Sequence, residues 1–171
     1  TVSPERSFLL QRACARRRTF LALASAQKFL APNILSATYE LGMYGLFAGA
    51  HTHVALSHCT FFGGQLALLR ACKYTHLHIS DCCFMGSKGN TAAVVLRDSS
   101  LAMQRSMVAH GATDGISTYG SLVQVAMQDC CIVHNTGYGM AAHLGLPVAT
   151  LFQNNKVVSN GLGSLFGHVV G

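Results

Sequence analysis

Five segments of this 171-residue chain superimpose at steps of 23, 24, 24 and 25 residues, with Cys59, Cys82, Ser106, Cys130 and Asn155 in register. Two positions beyond these anchors stand Phe61, Phe84, Val108, Ile132 and Val157, and three positions before them Leu56, Ile79, Met103, Met127 and Phe152. Both flanking columns are apolar throughout. Half a period away a small-residue phase is expected at Gly115, Gly139 and Gly163, with Thr91 one step earlier. Self-similarity at such a period marks a solenoid or propeller, in which each repeat buries its apolar face against the next. Helical repeats need longer segments with apolar spacing of three and four, which this register does not supply. Leu77, Ile79, Cys82 and Phe84 instead alternate with His78, Ser80, Cys83 and Met85, and the inward parity switches at Asp81. That is the period-2 pattern of strands with a bend between them. At roughly 3.3 Å per residue, one repeat makes a coil of three short strands, so the expected fold is an all-β parallel β-helix of five to six coils.

Coils of this length, with an inward Cys, Ser or Asn ladder, an apolar residue two places on and Gly or Asn at the following turn, resemble the right-handed parallel β-helix of the pectate-lyase-like superfamily. The resemblance covers residues 34–171. It implies the fold far more than the activity, because the superfamily holds polysaccharide lyases and hydrolases as well as tailspikes, adhesins and scaffolds. The left-handed hexapeptide β-helix would show a six-residue apolar rhythm that is missing here. Residues 34–50 read as a degenerate first coil, with Ala37 and Tyr39 one step before Cys59 and Phe61, and Gly45 in the small-residue column.

Charge separates the chain into two parts. Residues 1–31 carry Arg6, Arg12, Arg16, Arg17, Arg18 and Lys28 against Glu5, which is +5 of the net +6. The other 140 residues hold six cations and five anions, about 8% charged against roughly 25% in ordinary soluble domains. So few charges on a solenoid exterior imply that neighbouring subunits cover much of it. Residues 1–33 are therefore expected to be a basic arm, predicted helical from Arg12 to Leu30 and able to cap the first coil, although Thr19–Ser25 also fits an early strand. Arg16, Arg17 and Arg18 are the candidate partner-gripping residues. A solvated basic face is the ordinary meaning of such a run, and contact with nucleic acid or anionic lipid is the less expected one. No apolar stretch is long enough to span a membrane. The final segment, from Gly161 on, carries no polar cap, so cover by a partner or by further sequence is expected there.

Candidate chemistry is sparse. Seven cysteines do not form a disulfide framework, because Cys59, Cys82 and Cys130 sit in the inward column as small hydrophobes, and unpaired thiols point to a reducing compartment inside the cell. A Cys59–Cys82 bridge between adjacent coils is sterically open. His53, His76 and His78 are weak metal candidates on one outward face, lacking nearby carboxylates, and exposed or interface histidines are the simpler account. His110 and His134 read as turn residues, in the column of Gly63 and Gly86. The outward position before each anchor holds His58, Asp81, Arg105, Asp129 and Asn154, where Asp81 and Asp129 stand roughly 9.6 Å apart with Arg105 between them. A charge-compensated ladder is the expected reading, since the arginine would hold both acids ionised. The chain is thus expected to be a non-catalytic structural subunit without cofactor, binding protein neighbours in a larger assembly. The alternative is a carbohydrate-active or carbohydrate-binding β-helix, which would need an aromatic and acidic groove.

Overall fold

The computed structural model describes residues 33–40, 44–49, 51–143, 148–166 and 169–170. The expected arm helix and Arg16, Arg17 and Arg18 lie outside the described residues. Within them the strands are β1 (Asn33–Glu40), β2 (Tyr44–Ala48), β3 (His53–Phe62), β4 (Ala67–Cys72), β5 (His76–Ser80), β6 (Cys83–Met85), β7 (Val94–Arg97), β8 (Ser100–Gln104), β9 (Met107–Ala109), β10 (Ile116–Tyr119), β11 (Gln124–Gln128), β12 (Cys131–Val133), β13 (Tyr138–His143), β14 (Val148–Gln153), β15 (Lys156–Val158), β16 (Gly163–Phe166) and β17 (Val169–Val170).

Every ladder pairing is parallel and joins a strand to its counterpart one coil away, which makes a parallel β-helix of about five turns. One sheet contains β2, β4, β7, β10, β13 and β16 in that order. The eleven-stranded sheet is folded along a corner, because β3 pairs with β5 through His53–Ser57 and with β6 through Thr60–Phe62. The cross-section therefore has three faces. The first carries β5, β8 and β11, the second β6, β9 and β12, and the third β4, β7, β10 and β13. The degenerate first coil falls where expected, with Ala37 opposite Cys59 and Tyr39 opposite Phe61.

The corners are made by residues in left-handed backbone conformation. Between the first and second faces these are His58, Asp81, Arg105, Asp129 and Asn154, with φ between 43° and 54°. Asn, Asp and His tolerate this region best among side chains with a Cβ. The turn interrupts the ladder, and the anchor column repairs it. The Cys82 amide donates to Ser106 Oγ at 3.0 Å and the Cys130 amide to Asn155 Oδ1 at 2.9 Å, while the Cys59 amide faces Cys82 Sγ at 3.4 Å. Each of Cys59, Cys82, Ser106 and Cys130 also donates to the carbonyl two residues back. An inward Cys, Ser or Asn is thus a buried hydrogen-bonding wedge that satisfies backbone groups that water cannot reach. The next corner repeats the device: Gly63, Gly86, His110, His134 and Ser159 are left-handed, and Asn135 and Asn160 follow with Oδ1 atoms accepting from the Gly111 and Asn135 amides at 2.9 and 3.0 Å. His110 and His134 are turn residues, their rings stacked at 5.3 Å.

The core consists of columns. Leu56, Ile79, Met103 and Met127 form one, and Phe61, Phe84, Val108 and Ile132 another, all essentially inaccessible to solvent. The Phe61 and Phe84 rings stack at 5.0 Å and 4°. Leu69, Val94, Ile116 and Met140 line the third face. Full burial of each such side chain contributes about 1.5–3 kcal/mol. The small-residue column differs from the expected one. Val94, Ile116 and Met140 are in register, as are Met140 and Leu165, so Ala93, Gly115, Gly139 and Ser164 stand in line, and Thr91 and Gly163 do not. Gly45 does join this line, opposite Leu68. Turns of unequal length absorb the extra residues, so a constant step of 24 drifts by one or two positions on this face. Gly115 is required here: a Cβ would stand 2.6 Å from the Gly139 carbonyl oxygen and 2.9 Å from Asn135 Nδ2.

Asn155 also donates from Nδ2 to the Met127 carbonyl at 2.8 Å. Asn155→Ala should therefore lower stability by about 1–3 kcal/mol, as expected when buried backbone partners are orphaned. Asn155→Ser, which restores the residue type at Ser106, should recover part of it; urea-denaturation midpoints measure both.

Candidate functional site

The widest exterior surface is the first face, where outward side chains align in three rows. Register places His53, His76, Ser100 and Gln124 in one row, Ala55, His78, Ala102, Ala126 and Leu151 in the next, and Ser57, Ser80, Gln104, Gln128 and Gln153 in the third. No carboxylate, ammonium or guanidinium stands in any of them. Alternation with the buried Leu77, Ile79, Leu101, Met103, Val125 and Met127 forces these residues outward. Because Ala55 and Ala102 are short, a shallow depression of about 220 Å³ opens between His78, Ser57, Ser80 and Gln104.

The structure brings His53 and His76 together as expected, with rings stacked at 4.6 Å and 19°. His76 Nδ1 lies 2.6 Å from Ser100 Oγ. His78 is in the adjoining row, opposite Ala55. Near-parallel imidazoles direct their nitrogens alongside one another rather than at one point. Among the described residues no group of three His, Cys, Asp or Glu side chains is placed to hold a metal ion.

At the corner beside this face, Arg105 grips Asp81 through two parallel bonds, Nε to Oδ1 and Nη2 to Oδ2, both 2.8 Å. The guanidinium holds the Asp81 carboxyl below its usual range, and Asp129 adds its negative charge at Arg105 from the other side. Asp81 is thus committed to charge compensation, as expected for this ladder. Cys59, Cys82 and Cys130 are buried free thiols in the anchor column. Their place between amides and carbonyls, together with burial, pushes the Cys82 and Cys130 thiols up, so neither is an accessible nucleophile.

A second cluster, on the third face, was not anticipated. Asp114 Oδ1 accepts from the Tyr138 amide at 2.8 Å, and Oδ2 accepts from Ser117 Oγ at 2.9 Å with His143 Nε2 3.6 Å away. That nitrogen is shielded from solvent and makes no hydrogen bond. Tyr119 stacks on His143 at 4.7 Å, and Tyr138 stacks on the exposed Phe166 at 4.9 Å. The signal was in the repeat: Tyr119 to His143 and Asp114 to Tyr138 are each one step of 24. Counting carboxylates alone left it invisible, because Asp114 has no acidic neighbour.

Partial desolvation of the ring, followed by the charges of His53 and His78, holds His76 below the ordinary imidazole value of 6.5. The unfolded chain takes up this proton first as pH falls. The associated stabilisation is complete above pH 6.5 and is lost as pH drops below it through the lower folded value. The thermal midpoint should therefore fall between about pH 7.5 and about pH 5.5, and it should fall less in His76→Gln.

No helix among the described residues is long and apolar enough to cross a membrane. Residues 33–168 match the family model described as the right-handed β-helix region. No curated protein and no solved structure matches the chain. The match supplies the hand of the coil, in keeping with the right-handed crossover of parallel strands. A coil repeat with an inward hydrogen-bonding ladder, all-parallel pairing and a family match over most of its length together make this chain a member of the right-handed β-helix family.

Proposed function

We propose that this protein is a non-catalytic structural subunit of a larger protein assembly, binding its neighbours through the charge-free first face. The observation that carries this reading is the three aligned outward rows of Ala, Ser, Gln and His between His53 and Gln153, a flat surface without charged side chains. A surface of this kind has little hydration to lose on contact and no unpaired charge to bury. The Asp81–Arg105 pair supports the non-catalytic part, because a carboxylate held in two charge-assisted bonds is a poor acid or base at neutral pH. Free thiols packed in the core suit a reducing compartment within the cell. In this reading Arg16, Arg17 and Arg18 grip the same neighbour.

Paired substitutions Ala102→Glu and Ala126→Glu test the interface. They should leave the circular dichroism spectrum unchanged and lower recovery of the native partner at least tenfold in co-purification followed by reconstitution from purified components. A monomer with no partner recoverable from its native source would overturn the proposal.

The aromatic and acidic cluster on the third face favours a second reading, binding of carbohydrate. Stacked rings offer apolar platforms to a sugar face, and Asp114 and His143 lie beside them. Calorimetric titration with neutral and acidic oligosaccharides should then show binding that Tyr119→Ala and Phe166→Ala abolish. Cleavage of an acidic polysaccharide, lost in Asp81→Asn or Asp129→Asn, would replace the non-catalytic reading altogether.

A further inference from the structure

The second face carries a row of soft donors that packing does not require. Register places Cys83 opposite Met107, and Met107 opposite Cys131, so thiol, thioether and thiol stand side by side on β6, β9 and β12. These positions alternate with Phe84, Val108 and Ile132, which are completely buried, so all three sulfur side chains point away from the core. Met85 lies on the same face two residues beyond Cys83, a separation of about 6.6 Å along the strand. All four sulfur residues are partly shielded yet reachable, and both cysteines are free. The row ends in Thr60 on one side and Lys156 on the other, neither of them a soft donor.

We propose that Cys83, Met107 and Cys131 form a binding site for a soft monovalent cation, copper(I), with Met85 as an auxiliary thioether. Thiolate and thioether sulfur select copper(I) over harder ions. Two sulfurs sharing one ion, each about 2.3 Å from it, stand up to about 4.6 Å apart, which matches the spacing of about 4.8 Å between adjacent strands. The two cysteines are two strands apart, and Met107 between them has the long unbranched side chain needed to reach an ion held over its own strand. Zinc would demand four strong donors in a tetrahedron, and two thioethers are poor substitutes. Binding needs no electron transfer: the ion enters as copper(I), each coordinating thiol releases one proton, and a thiolate bond replaces each sulfur–hydrogen bond. Burial pushes the Cys83 thiol up, so affinity should rise with pH.

The test uses the full chain, reduced and oxygen-free, titrated with copper(I) supplied as its acetonitrile complex in competition with bicinchoninate. One equivalent should bind with release of about two protons, one for each thiol that becomes a thiolate ligand. Affinity should drop at least a hundredfold in the Cys83→Ser, Cys131→Ser double variant and about tenfold in Met107→Leu, which keeps the volume of the side chain. Cys72→Ser should bind as the parent does. Copper retained by the double variant with unchanged affinity would overturn the site, as would a parent protein that competes no better than that variant. Circular dichroism of each variant separates loss of donors from loss of fold.

Discussion

The structure depends on how a parallel coil turns its corners without stranding buried amides. At each corner one residue adopts a left-handed conformation, which breaks the strand ladder and leaves the next amide facing the neighbouring coil. A side chain of the following coil accepts that amide: Ser106 for Cys82, Asn155 for Cys130, Asn160 for Asn135. The bond is vertical, so each coil completes the one before it. Stability is therefore shared between neighbours rather than held within a repeat, the physical basis of a solenoid.

That arrangement explains the odd composition. The anchor position must be small, inward and able to hydrogen bond, and Cys, Ser and Asn meet those conditions to different degrees. Sulfur makes the weakest acceptor, as the 3.4 Å contact to Cys82 Sγ shows beside the 2.9 Å contact to Asn155 Oδ1. Cysteine compensates by burying apolar surface. The corner residue itself must tolerate positive φ, which accounts for the run of His, Asp, Arg and Asn along one edge and puts Arg105 within reach of Asp81.

Stacking also converts sequence distance into contact. Residues 23 to 25 apart become neighbours about 4.8 Å apart, so exterior character is set by rows and not by local stretches. The first face thus becomes free of charge, the second gathers sulfur at Cys83, Met107 and Cys131, and the third gathers aromatic rings around Asp114. Each row draws one residue from each coil. Reading along the chain shows none of them until the register is known.

The sequence by itself determined the coil repeat, the anchor and apolar columns, the strand parity through Asp81, the degenerate first coil at Ala37 and Tyr39, and the turn role of His110 and His134. These follow from alternation and period, which are local or strictly repeated and so survive in one dimension. Only the tertiary structure decided the rest. It moved the small-residue column to Ala93 and Ser164, because turn lengths vary while strand pairing does not. It showed His53 and His76 as stacked rings and assembled Asp114, Ser117, Tyr138 and His143 into one cluster. The reason is common to all of these: a column position is set by hydrogen bonds between coils, and a residue count along the chain approximates it only where successive turns have equal length.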